Sequence, residues 1–230
     1  MNQAEPEADQ HPAKEFAIKD CALIAIATGN RAINLRELRD NLTTTSLDSI
    51  YYHFWGGLLQ PRFEEREYNN DFAAWAWYAL HDAPLAERLA VIDPTQFVEL
   101  EDLRQELLEI IEERLDEEEY LSWARASNRF EFIRAQIVIF DSKKRAQSPE
   151  MLAEILPELA TGSIFYHFID ARRRLEDHGD DFSYWLNSHG PQHQELIRRL
   201  AAIDIYFGTL GNIKKQLIKI FDDYFEEEGV

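Results

Sequence analysis

The chain has 230 residues, 45% of them hydrophobic and 12% aromatic, and its 24 Lys and Arg against 43 Asp and Glu give a formal charge of −19. That length holds one large or two small domains with buried cores, while the charge argues against a nucleic-acid binder, whose footprint is basic, and against an anionic membrane surface. A single cysteine, Cys21, excludes an internal disulfide and a multi-cysteine zinc knuckle, and no apolar run reaches the ~18–20 residues of a membrane span.

Residues 1–14 are polar and acidic, without the basic start and apolar segment of a signal peptide. They read as a disordered acidic N-terminus of a soluble, cytoplasmic protein. From there the chain reads as helical, because glycine is scarce and no Asn-Gly or Asp-Gly hairpin separates alternating apolar runs. Asn34 is placed to open a helix, Ser49–Phe54 continues in helical register, and Asn70-Asp71 is a cap signal before an aromatic run. Leu100, Leu103, Leu107, Ile110, Ile111 and Leu115 fall at helix spacing. The acidic run Asp116–Glu119 then reads as a solvated helix end and opens a connector over 116–128.

After the connector the pattern begins again. Ser49-Ile50-Tyr51-Tyr52-His53-Phe54 returns as Ser163-Ile164-Phe165-Tyr166-His167-Phe168, 114 residues later. At that shift residues 15–54 align with 129–168 without a gap, and 10 of the 40 positions are identical. Asp71-Phe72 and Trp75 match Asp181-Phe182 and Trp185, and the order holds to Leu107/Leu217 and Ile110/Ile220. Ser148-Pro149-Glu150 starts a helix where Asn34 does in the first copy, and Asp180-Asp181 is a second cap signal. The expected fold is therefore all-α: a pseudo-symmetric tandem duplication of a multi-helix unit of about 100 residues. Copy one covers 15–115, copy two 129–225, and 226–230 is an acidic tail. The first segment of each copy is read as helix, although Phe130–Phe140 also alternates in the manner of a strand.

Retained polar residues are more informative than a shared apolar core. Ser49, Tyr52, His53 and Asp71 recur as Ser163, Tyr166, His167 and Asp181. On a helix, Ser49 and His53 lie one turn apart with Tyr52 beside them. This face reads either as a buried imidazole bonded between helices, with the Asp of the Asp-Phe-x-x-Trp segment as partner, or as a ligand site. Asp71 and Asp181 also read as helix N-caps. Asp93 and Asp204 end helices and call for a partner, with Arg88 and Arg199 in reach. No Gly-x-Ser-x-Gly turn surrounds Ser49, and no Glu-x-x-His pair sets two metal ligands on one helix face, so no catalytic residue, metal or cofactor is assigned.

The copies differ in charge. Residues 15–115 hold 9 basic and 19 acidic side chains, residues 129–225 hold 13 and 14. Copy two also carries two basic clusters, Lys143-Lys144-Arg145 and Arg172-Arg173-Arg174. These read either as surface decoration or as an anion or acidic-partner surface.

The string Gly29–Leu38, followed by Ser49-Ile50-Tyr51-Tyr52-His53-Phe54 and Asn70-Asp71-Phe72-Ala73-Ala74-Trp75, is similar to an uncharacterised bacterial and archaeal domain-of-unknown-function family. The second copy departs from it, with Ser142-Lys143 in place of Thr28-Gly29. Members of that family occur near glycosyltransferases and other sugar-handling enzymes. The resemblance implies a bacterial, cytoplasmic setting and a protein partner from sugar metabolism, but no reaction. The expectation is a non-enzymatic helical interaction or regulatory protein. The alternative is a small-molecule or sugar-phosphate binding protein, with or without hydrolase activity, using the His53/His167 face.

Overall fold

The computed structural model describes residues 15–59 and 67–228. The N-terminal segment 1–14 and the last residues of the acidic tail lie outside the described residues. The fold is mixed α and β, not all-α. Strand β1 (Phe16–Ala32) and strand β2 (Phe130–Ala146), each 17 residues long, pair antiparallel into one two-stranded ribbon. Both strands are the opening segments that were expected to be helical. They are rich in β-branched residues, Ile18, Ile24, Ile26 and Thr28 in one and Ile133, Ile137, Val138 and Ile139 in the other. Their pairing closes across residues 33–129, so no tight hairpin turn joins them.

Helices follow each strand. After β1 come α1 (Leu35–Leu42), α2 (Leu47–Trp55), α3 (Asp71–Trp75, extended by a π-helical turn Ala76–Leu80), α4 (Ala83–Ala90) and α5 (Leu100–Glu117). After β2 come α6 (Pro149–Ile155), α7 (Thr161–Ile164), α8 (Ala171–Arg174), α9 (Asp181–Asn187), α10 (Gln194–Ala201) and α11 (Leu210–Glu228). A π-helical segment, Phe165–Asp170, joins α7 to α8.

The helix starts are set by local chemistry. Asn34 Oδ1 accepts from Glu37 N–H at 2.8 Å and so caps α1, and Glu37 Oε2 reaches back to accept from Ile33 N–H, one residue before the cap, at 2.9 Å. Ser148 caps α6 with Pro149 at the first turn, and Asp82 caps α4 with Pro84. Leu103, Leu107 and Ile111 of α5 are fully buried, as their spacing requires.

The core is continuous from one half of the chain to the other. Each strand sends its first aromatic residue into the helices of the opposite half. Phe16 of β1 lies 4.9–5.5 Å from His167, Phe182 and Trp185. Phe130 of β2 lies 4.7–5.9 Å from His53, Phe72 and Trp75. At Gly162 a Cβ would stand 2.4 Å from the Cys21 carbonyl oxygen, so only glycine lets α7 approach β1 this closely.

Candidate functional site

His53 lies in α2 and is 3% exposed. Its Nδ1 is 2.9 Å from Asp71 Oδ2, and its Nε2 accepts a 3.1 Å bond from the Ile133 N–H of β2. His167, also 3% exposed, repeats the arrangement. Its Nδ1 is 2.7 Å from Asp181 Oδ2, and its Nε2 accepts a 2.8 Å bond from the Lys19 N–H of β1. A backbone amide can only donate, so Nε2 is the acceptor and Nδ1 carries the proton given to the carboxylate. Ser49 Oγ donates to the Ile133 carbonyl at 2.8 Å, so α2 holds both polar groups of one strand residue.

A two-stranded ribbon has no third strand to satisfy its outward amides. The two histidines supply that acceptor, and the ring edges of Tyr52 and Tyr166 pack on them at 5.3 and 4.9 Å. The pair resembles the Asp–His half of a catalytic triad, but its second nitrogen is bonded to an amide rather than a nucleophile. It has no free lone pair with which to take a proton. His53→Ala or His167→Ala should cost about 1–3 kcal/mol, the usual result of stranding a buried amide and carboxylate. Urea denaturation of each variant measures this, and an unchanged midpoint would sink the clamp role.

Asp71 and Asp181 are not the helix caps. Asn70 and Asp180, one residue earlier, accept from Ala73 N–H at 2.8 Å and Ser183 N–H at 2.9 Å. This frees Asp71 and Asp181 to face the histidines. Burial pushes the Asp180 carboxyl above the usual carboxylate range, against the bonds from Ser183. Ser163 is buried in α7.

The basic clusters, read as surface decoration or as an anion surface, make intramolecular contacts. Asp170 is 1% exposed and escaped the sequence reading. It accepts from Arg173 Nη2 at 3.2 Å, Arg174 Nε at 3.0 Å and the Tyr51 hydroxyl at 3.0 Å. Arg174 also reaches Asp181 at 2.9 Å, so the run Tyr51–Asp170–Arg174–Asp181–His167 links both halves. The guanidiniums of Arg172, Arg173 and Arg174 lie over the rings of Phe168, Tyr51 and Tyr166 at 5.6, 4.8 and 4.1 Å. Arg145 takes Asp141 bidentately at 2.8 and 2.7 Å, Lys143 lies 3.7 Å from Asp141, and Lys144 pairs with Glu158. The spacing of Asp170 three and four residues before Arg173 and Arg174 was the available signal.

Asp93 and Asp204 do not pair with Arg88 and Arg199. They turn back to the chain, accepting from Thr95 N–H at 2.9 Å and from Tyr206 and Phe207 N–H at 2.9 and 3.0 Å. Arg88 instead meets Glu117, and Arg199 meets Glu195 and Glu227. Cys21 is buried, and that burial, helped by Asp170 and Asp20, pushes its thiol up to about 12, so it offers no thiolate near neutrality. Among the described residues no group of three or more His, Cys, Asp and Glu could hold a metal ion.

In the middle of the ribbon one face is exposed among the described residues. Asp20 faces Phe140, Ala22 faces Val138 and Ile24 faces Gln136, so these even-numbered side chains share one face. Ile24, Val138 and Phe140 on it are 40–47% exposed. The opposite face carries buried Cys21 and, across the ladder from it, Ile139, which is 47% exposed. No described helix is long and apolar enough to cross a membrane.

The sequence profile of a family of unknown function, DUF5752, matches residues 13–222. The fold is similar to a solved structure described as "The structure of OrfY from Thermoproteus tenax", with a TM-score of 0.79 and 23% identity over 94% of this chain and 98% of that one. No curated protein matches the chain.

Proposed function

For a chain that belongs to DUF5752, a family of unknown function, we propose a non-catalytic interaction protein that docks a second protein on the outer face of its β-ribbon. The observation that carries this reading is the exposure of Ile24, Val138 and Phe140 together on one face of the middle of the ribbon. Exposed apolar side chains grouped in one patch mark an interaction site where single scattered ones do not. The two His–Asp pairs support it from the other side, since both are spent on holding the ribbon to the helices. The formal charge of −19 disfavours a second copy of the same chain. The occupant is therefore a different protein with an apolar face and a basic rim, and enzymes of sugar metabolism are the first class to test.

A photo-crosslinking side chain at Phe140, placed in the native cell, should capture one protein that the same group at exposed Tyr184 does not. That protein, purified and titrated, should bind Ile24→Asp/Val138→Asp at least about tenfold more weakly than wild type, since an interface centre carries most of the affinity. Both changes are at exposed sites and should leave the melting temperature almost unmoved. Self-crosslinking from Phe140, or equal capture from both positions, would overturn the reading.

A further inference from the structure

The ribbon ends alike on its two sides. Residues 142–144 bulge opposite Ile18 at one end, and residues 28–30 bulge opposite Phe132 at the other. Lys143 and Gly29 both take positive φ, 66° and 85°. Ser142 Oγ donates to the Ile18 carbonyl at 2.7 Å, and Thr28 Oγ1 to the Phe132 carbonyl at 2.8 Å. An arginine follows each bulge at the same step, Arg145 and Arg31.

Their surroundings differ. Arg145 is held bidentately by Asp141, with Glu15 3.6 Å away. At the other end Ala27 stands in the place of Asp141 and Arg129 in the place of Glu15. Arg31 and Arg129 join Arg125 along a cleft of about 310 Å³. Among the described residues none of these three guanidiniums has an ion-pair or hydrogen-bond partner. Glu37, which also lines the cleft, gives its oxygens to Ile33 N–H and the Asn34 side chain. Glu131, across the ladder from Arg31, is exposed and makes no ion pair with it.

We propose that this cleft binds a small phosphate-bearing molecule, its oxyanion standing where the Asp141 and Glu15 carboxylates stand at the opposite end. Guanidinium groups match phosphate oxygens in bidentate pairs, and a tetrahedral phosphate offers a face to each of three arginines where a carboxylate offers two oxygens. A cleft of this size lies at the small end of ligand pockets, which fits a phosphoester and not a polymer. The site is separate from the apolar face of the ribbon and does not depend on that reading.

Calorimetric titration with inorganic pyrophosphate tests it. Wild type should bind at one site. Arg31→Gln/Arg125→Gln/Arg129→Gln should weaken binding by about tenfold or more, while the charge control Arg198→Gln should bind as wild type. Ala27→Asp/Arg129→Glu, which installs the carboxylates found at the other end, should abolish binding with no fall in melting temperature. No binding to wild type at millimolar pyrophosphate would overturn the proposal. So would unaltered binding to both multiple variants, or tighter binding of a hexaglutamate peptide than of pyrophosphate.

Discussion

Arg114→Met should lower stability by about 3–5 kcal/mol, the scale set by removing one partner of a buried ion pair. Arg114 Nε lies 3.1 and 3.0 Å from the two oxygens of Asp82, and both residues are buried. Burial opposes the charged guanidinium, but the bonds and charge of Asp82 outweigh it and raise the Arg114 pKa. Without Arg114, a carboxylate that also caps α4 through Leu85 N–H is left uncompensated in the core. Arg114→Met/Asp82→Ser should recover most of the loss, because serine keeps a cap acceptor and removes the buried charge. Urea denaturation of the single and double variants decides it. A double variant as unstable as the single one would refute the ion-pair explanation. In the second half the corresponding contact is His193 Nδ1 to the Tyr224 hydroxyl at 3.2 Å, so the same packing slot is filled there without that ion pair.

Phe130→Ala should cost about 3–5 kcal/mol, as for other large aromatic deletions in a close-packed core. The ring stacks on Phe72 at 5.0 Å with 15° between planes, and it touches His53, Phe132 and Trp75 at 4.7–5.9 Å. Phe130 follows the connector in sequence, yet it fills the core formed by α2 and α3. The loss should therefore appear as a lower midpoint of one cooperative transition, reported alike by far-UV circular dichroism and tryptophan fluorescence. A variant in which one half melts early while the other keeps its wild-type midpoint would show that the two halves do not share a core.

Much of the helical framework was legible because its causes are local. Asn34 with Glu37, and Ser148 with Pro149, announce helix starts within four residues of sequence. Leu103, Leu107 and Ile111 show one buried face by spacing alone. The link from His53 to Asp71 was also within reach, since both residue types recur at His167 and Asp181. The arginines of 172–174 were legible as charges but not as partners, because their meaning depends on Asp170 and the ring of Tyr51.

By itself the sequence determined the helix starts at Asn34 and Ser148 and the apolar helix faces, which rest on contacts a few residues apart, and it showed which polar residues recur at matching positions. The tertiary structure alone decided that the opening segments are strands. A strand acquires its hydrogen bonds only from a partner, and here Cys21 finds Ile139 far along the chain, with no turn between them to mark the pairing. The same pairing decided what the histidines do, because Ile133 and Lys19 present outward amides only once the ribbon exists. It also decided which arginines are spent and which are bare. Asp141 four residues before Arg145, against Ala27 before Arg31, was visible in the sequence, but only the fold brings Glu15 to Arg145 and sets Arg125 and Arg129 along one cleft with Arg31.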